Sequence, residues 1–177
     1  MNIRHAMVLG LTFTLLGGCA TVMKPLDYKA EKPYVPVTLA INEGSRNSNS
    51  PTDRRQYMDT TRALRDTGAF SVLNDGFGRD GYSLTLTSIN TTDASAMYLV
   101  VVLNSATIFT FPAPYKYGHS LQGTVYKDGQ PLKSYRYSRE GWSVFTWYVP
   151  VPYVEAKRQM LDELMVDIEK DKLIPYK

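Results

Sequence analysis

Few side chains in this sequence could make or break a bond. The 177 residues include one Cys, Cys19, and two His, His5 near the start and His119 well inside the chain. One Cys cannot close a disulfide within the chain or build a Cys-rich zinc site. His119 is followed by Ser120, a base next to a nucleophile. On a strand, neighbouring residues point to opposite faces, so this pair is badly placed for proton transfer. The other candidates are two carboxylates, Asp75 and Asp80, in one glycine-rich loop. They could serve a hydrolase as acid and base or share a cation, but the oxygen set that calcium needs is not visible around them. The reading is no catalytic residue, no metal site and no cofactor.

The same loop contains Gly76-Phe77-Gly78-Arg79-Asp80-Gly81, which satisfies the spacing G-x-G-x-x-G. A dinucleotide site needs a helix directly after that turn, so that the pyrophosphate meets the helix N-terminus. Here Tyr82 to Thr87 alternates with period two, which predicts a strand and makes the loop a glycine-rich hairpin connection. Arg54, Arg55, Arg62 and Arg65 could gather a phosphate or a lipid headgroup, but Asp53, Asp59 and Asp66 lie among them and point to a solvated helix face. With 20 Lys plus Arg against 17 Asp plus Glu, the formal charge of +3 argues against a nucleic-acid partner. A hydrophobic fraction of 44% with 13 Tyr and 6 Phe excludes a wholly disordered chain.

The elements follow from periodicity. Tyr34 to Ile41 alternates as a strand, and Pro36 places it at a sheet edge because proline cannot donate to a ladder. Asn42 to Ser50 reads as a polar loop. Ser50 can cap a helix over 51–67, Pro51 suits its first turn and Gly68 its end. Phe70 to Leu73 and Tyr82 to Thr91 are strands. Tyr117 to Lys127 and Leu132 to Arg139 flank Asp128-Gly129, a tight hairpin signal. Gly141 to Val149 reads as a further strand, and Val154 to Lys170 as a helix packed on the sheet. Met97 to Phe111 is the most apolar stretch after the N-terminus and is open to three readings: buried strands, a buried helix, or an element dipping into a membrane. Burial in the core is preferred. The fold class is α+β: a mostly antiparallel sheet, one helix after the first strand and one C-terminal helix across a face.

The N-terminus is an address. Arg4 and His5 precede an apolar run from Ala6 to Leu16, the layout of a secretory signal peptide and too short for the roughly 20 residues that span a bilayer. Leu16-Gly17-Gly18-Cys19 then resembles the lipobox of bacterial lipoproteins. That resemblance implies cleavage between Gly18 and Cys19, a thioether-linked diacylglycerol on the sulfur and a third acyl chain, such as palmitate, on the new amino group. In enteric-type members of the family an Asp after the Cys retains the protein at the inner membrane; Ala20 stands here, which implies the outer membrane and its periplasmic face. The organisation is then a signal peptide over 1–18, a lipidated tether over 19–32 and one α+β domain over 33–177.

With little chemistry available, the function expected is that of a non-enzymatic, lipid-anchored component of an envelope assembly or transport system. Its partner would be another envelope protein, beyond the membrane reached through acylated Cys19. Element order loosely resembles small envelope-accessory lipoproteins. The aromatic residues Phe109, Phe111, Tyr115, Trp142, Trp147 and Tyr148 are the candidate partner surface, since aromatics are enriched in interfaces. The alternatives are a periplasmic carrier of lipid or another hydrophobic ligand, and a hydrolase using the loop carboxylates.

Overall fold

Alternating apolar and polar residues set the strands, and each strand turns its apolar set toward one layer of helices. The computed structural model describes residues 23–43, 51–76, 78–90, 113–145 and 152–177, together with Tyr98, Val102 and Ser105. In chain order these form β1 (Val37–Glu43), α1 (Pro51–Arg65), β2 (Leu73–Asp75), β3 (Tyr82–Asn90), β4 (Ala113–Lys127), β5 (Gln130–Phe145) and α2 (Pro152–Asp171). The sheet order is β2-β1-β3-β4-β5. β1 runs parallel to β2 and β3, while the longer β3–β4 and β4–β5 registers are antiparallel. The α+β class, with a helix after the first strand and another at the C-terminus, is as the sequence predicts.

Val37 and Leu39 of β1, Leu84 and Leu86 of β3, and Leu121 and Val125 of β4 are buried on the covered face. Leu64 of α1 and Met160, Leu161, Leu164, Met165 and Ile168 of α2 complete one hydrophobic cluster with them. Gly123 of β4 lies under α2: a Cβ there would come within 2.8 Å of the Leu164 methyls, so the glycine lets the helix approach the sheet. The opposite face carries Thr38, Thr85, Thr87, Gln122, Thr124, Ser134 and Arg136, and there Thr124 and Ser134 share a hydroxyl hydrogen bond of 2.9 Å.

Several elements depart from the sequence reading. β1 is interior, not an edge; Pro36 sits just before pairing starts at Val37, where its missing N–H costs no ladder bond. β2 begins at Leu73, while Phe70 makes only an isolated bridge to Tyr34. The loop after β2 is no hairpin, since β1 lies between β2 and β3 and the chain must pass over it. Gly78 makes that crossing possible: a Cβ there would meet the Thr38 hydroxyl at 2.8 Å. Of the strand expected over 141–149, residues 141–145 are instead the continuation of β5 and the rest lie outside the described residues; Gly141 leaves room for the Tyr117 ring across the pair. The turn between β4 and β5 is as predicted, with positive φ at Asp128 and Gly129.

The expected tether also departs from its reading. Leu26 and Tyr28 are buried in the main cluster, and Ala30 donates its N–H to the Thr67 carbonyl at the end of α1. At the other terminus, Lys177 donates to the Pro33 carbonyl and Val35 to the Pro175 carbonyl, with Tyr176 stacked on buried Tyr34 at 5.1 Å. Both ends of the described chain are thereby tied to the edge where β1 begins. Within 97–111, Tyr98, Val102 and Ser105 are helical and solvent-facing, which departs from the preferred burial in the core at those three positions. The other residues of that stretch, the loop 44–50 and the Ser50 cap lie outside the described residues.

Gly123→Val places two methyl groups where Leu164 already sits. It should lower unfolding stability by about 1–3 kcal/mol, the usual cost of overpacking. Urea titration reads this as a lower midpoint at unchanged slope, and a midpoint equal to that of the parent would show that α2 is not seated there.

Candidate functional site

The polar side of the α2–sheet contact is a ladder. Glu163, Asp167 and Asp171 repeat every fourth residue on α2 and so share one face. Lys133, Tyr135, Tyr137 and Arg139 repeat every second residue on β5 and share the covered face of the sheet. Arg139 donates to Glu163, the Tyr137 hydroxyl donates to Asp167 at 2.6 Å, and the Tyr135 hydroxyl and Lys133 ammonium donate to Asp171 at 2.5 and 2.6 Å. Burial, then the bond to Asp171, pushes the Tyr135 phenol above its ordinary range, and burial with Asp167 does the same to Tyr137. Lys133, and then Tyr135, hold the Asp171 carboxyl below the usual carboxylate range. The phenols remain neutral donors and Asp171 a charged acceptor, an arrangement suited to holding a helix rather than transferring protons.

A second cluster holds the N-terminal segment. Arg158 on α2 donates to Asp27 at 2.9 Å, to Asp162 at 3.1 Å and to Glu155 at 2.8 Å. Asp162 in turn accepts the backbone N–H of Tyr28 at 3.0 Å. The Glu155 carboxyl is held below its usual range by its Arg158 hydrogen bond, with a smaller contribution from the charge of Lys24. Residues 24 to 28 are thus laid along α2, with Lys24 toward the helix N-terminus and Tyr28 toward its middle.

His119 is more deeply buried than a lone strand histidine ordinarily is. It is 6% exposed, and its Nε2 lies 2.9 Å from the Ser88 hydroxyl, not near Ser120, which points to the other face. Burial lowers its pKa. Both side chains sit on the helix-covered face, where the serine accommodates a polar ring in an apolar layer. Lys157 in the first half of α2 is only 5% exposed, and burial pulls its ammonium down to about 7. The loop carboxylates are not built into a pair: Asp75 faces Arg65 at 3.5 Å, and Asp80 is exposed further along the crossing loop. On the outer side of α1, Arg62 reaches Asp66 at 3.8 Å and Arg55 is exposed, as for a solvated face. Among the described residues no group of three or more His, Cys, Asp or Glu is placed to hold a metal.

Of the six aromatic residues singled out in the sequence, two are described, and they diverge. Tyr115 is 8% exposed and lies opposite Ser143, whereas Trp142 is 74% exposed and lies opposite Lys116 on the other face of the same strand pair. Phe109, Phe111, Trp147, Tyr148 and the lipidation residue Cys19 lie outside the described residues. Among the described residues the pairing of β3 ends at His119, and β4 and β5 continue beyond it as a two-stranded arm from Ala113 to Gly118 and from Glu140 to Phe145. The outer face of this arm presents Pro114, Trp142 and Val144 to solvent, braced by a 2.8 Å ion pair between Lys116 and Glu140.

Sequence reasoning left the α2 clamp and the buried lysine unassigned. The acidic repeat 163, 167, 171 and the donor repeat 133, 135, 137, 139 were visible signals for the ladder. Lys157 carries no comparable signal, because a lysine beside Arg158 reads as a charged helix surface.

No protein-family model matches the chain, and no curated protein sequence matches it. Solved structures similar to it include a Xanthomonas campestris protein of the DUF330 family, at 10% identity over 84% of this chain and 89% of that one, TM-score 0.46. A minor lipoprotein of Acinetobacter baumannii is similar at 10% identity over 86% and 98% of the two chains, TM-score 0.31. A lipoprotein of Neisseria meningitidis is similar at 9% identity over 76% and 99%, TM-score 0.38.

Lys157 gives the fold a pH signature. An unfolded lysine titrates near 10.4, and the folded one near 7. Between those values the unfolded chain binds the extra proton, so stability rises from about pH 7 to about pH 10 and this contribution is constant below 7. Lys157→Met should be more stable than the parent at pH 7 and should lack that rise. Denaturant midpoints across the range check it, and a parallel rise in both proteins would assign the effect elsewhere.

Proposed function

We propose that the chain is a bacterial lipoprotein, anchored through acylated Cys19 to the periplasmic face of the outer membrane. There it acts without catalysis, as an accessory or binding component of an envelope assembly or transport system. The observation that carries this reading is Leu16-Gly17-Gly18-Cys19 placed directly after a short apolar run with a basic start. Each buried CH₂ of an acyl chain contributes about 0.8 kcal/mol, so two or three chains hold a protein at a bilayer with no segment crossing it. Among the described residues no helix is long and apolar enough to cross a membrane, which is compatible with that mode of attachment.

The body supports a binding role over the two alternatives. A hydrolase would need a poised nucleophile or a carboxylate pair; the Ser88–His119 contact is buried under the helix layer and Asp75 is engaged by Arg65. A carrier would need an apolar cavity between helix and sheet. There the fully buried Leu121, Leu161, Leu164 and Ile168 and the tight Gly123–Leu164 approach fill the space. What remains on the surface is a polar open sheet face and an arm ending in exposed Trp142 and Val144, features suited to contact.

The test is intact mass of the membrane-extracted protein beside a Cys19→Ser variant, with separation of inner and outer membranes. The expected result is the mass of residues 19–177 plus acyl chains, found with the outer membrane and lost in the variant. An unmodified chain in the soluble fraction would overturn the reading.

A further inference from the structure

We infer that the end of the body bearing the β4–β5 arm lies against the bilayer, with Trp142 and Val144 at the headgroup layer and the β4–β5 turn pointing away. This deepens the proposed function and rests on acylation of Cys19.

Three elements run toward the same end. The ladder pairs Lys133 and Tyr135 with Asp171, Tyr137 with Asp167 and Arg139 with Glu163, so β5 and α2 are antiparallel neighbours. Going forward along β5 is therefore going backward along α2. Trp142 is about 10 Å beyond Arg139 on the strand, and Glu155 is about 12 Å before Glu163 on the helix. They stand at one level. The N-terminal segment follows the same course: Tyr28 bonds Asp162, Asp27 bonds Arg158 four residues nearer the helix start, and the Lys24 charge reaches Glu155. Traced toward Cys19, the chain leaves the body at the end where Trp142 and Val144 are exposed.

The free length is short. Met23 packs against the core cluster, so only four residue steps separate it from Cys19, a reach of at most about 14 Å. The far end of β5, at exposed Leu132, is about 33 Å along the strand from Trp142. A leash of 14 Å cannot bring that end to the bilayer that holds the acyl chains, whereas the arm is within reach. The arm also has the matching chemistry. An exposed indole beside a valine and a proline, flanked by the Lys116–Glu140 pair, is the mixture of apolar ring and polar rim that suits the membrane interface.

The experiment uses the full acylated chain in vesicles of phosphatidylethanolamine and phosphatidylglycerol containing brominated acyl chains. In a Trp147→Phe chain only Trp142 emits; should that variant not fold, the fraction of parent emission lost on adding Trp142→Phe reports the same site, because Trp142 is exposed. A third chain carries Leu132→Trp with both native tryptophans changed to Phe. Intact mass of each preparation establishes acylation independently. The expected result is blue-shifted, lipid-quenched emission from Trp142 and unquenched emission from the reporter at 132. Acylated chain with Trp142 unquenched, or with both positions quenched alike, overturns this orientation and leaves the anchor standing. Absence of acyl mass overturns the anchor and the orientation with it.

Discussion

The seating of α2 on the sheet is the contact on which the rest of the molecule depends, and two periodicities make it possible. Four residues of helix advance about 6.0 Å and two residues of strand about 6.6 Å, so a carboxylate every fourth residue can meet a donor every second residue over three rungs without losing step. The ladder and the apolar row contribute differently. Partly exposed ion pairs and hydrogen bonds yield roughly 0.2–1 kcal/mol each, while fully burying a Leu, Met or Ile side chain yields about 1.5–3 kcal/mol. The five buried residues from Met160 to Ile168 therefore supply most of the attraction, and the ladder chooses among nearby positions of the helix on the sheet. A slip of one helical turn would leave the apolar row largely buried but would separate every donor from its acid.

Once α2 is placed, the termini have somewhere to go. Arg158 and Asp162 project from its outer side and receive Asp27 and the Tyr28 amide, which lays the N-terminal segment along the helix. The C-terminal tail after α2 returns to Pro33 and Val35 and stacks Tyr176 on Tyr34. The two ends thus brace each other beside the parallel edge of the sheet, where β2 is only three residues long and offers little pairing of its own. Burial raises the Tyr34 phenol far above its ordinary range.

What was legible in the sequence was what local rules determine. Helix ends at Pro51 and Gly68, the Asp128-Gly129 turn and the apolar stripe of the C-terminal helix each declare themselves within a few residues, and α1, the β4–β5 turn and α2 lie where those signals put them. Strand neighbours were not legible. Pro36 suggested an edge because a proline within a ladder breaks it, yet β1 lies between β2 and β3, and pairing begins one residue after the proline. The glycines of 76–81 suggested a hairpin, yet Gly78 is there to pass over Thr38. Both errors have one cause: which strands lie side by side is decided by burial of whole faces, a quantity that no short window contains. The candidate site divides in the same way, since Tyr115 and Trp142 look alike in sequence and only the pairing of Lys116 with Trp142 separates a buried ring from an exposed one.

The polarity of the molecule follows from connectivity more than from any one residue. β5 ends at Phe145 and α2 begins at Pro152, so the short link between them forces the end of one and the start of the other to the same end of the body. β4 begins at that end too, because it is the antiparallel partner of β5. A segment that runs parallel to α2 must then, traced back toward its N-terminus, emerge there as well, and the contacts of Asp27 with Arg158 and Tyr28 with Asp162 make the N-terminal segment run that way. The opposite end, by contrast, holds the Asp128-Gly129 turn, exposed charged side chains and the crossing loop, whose Gly81 amide donates to Asp128 at 2.8 Å. An anchor at Cys19 would keep the arm at the lipid side and point the turn end away from the membrane, leaving the polar open face of the sheet between them accessible from the side.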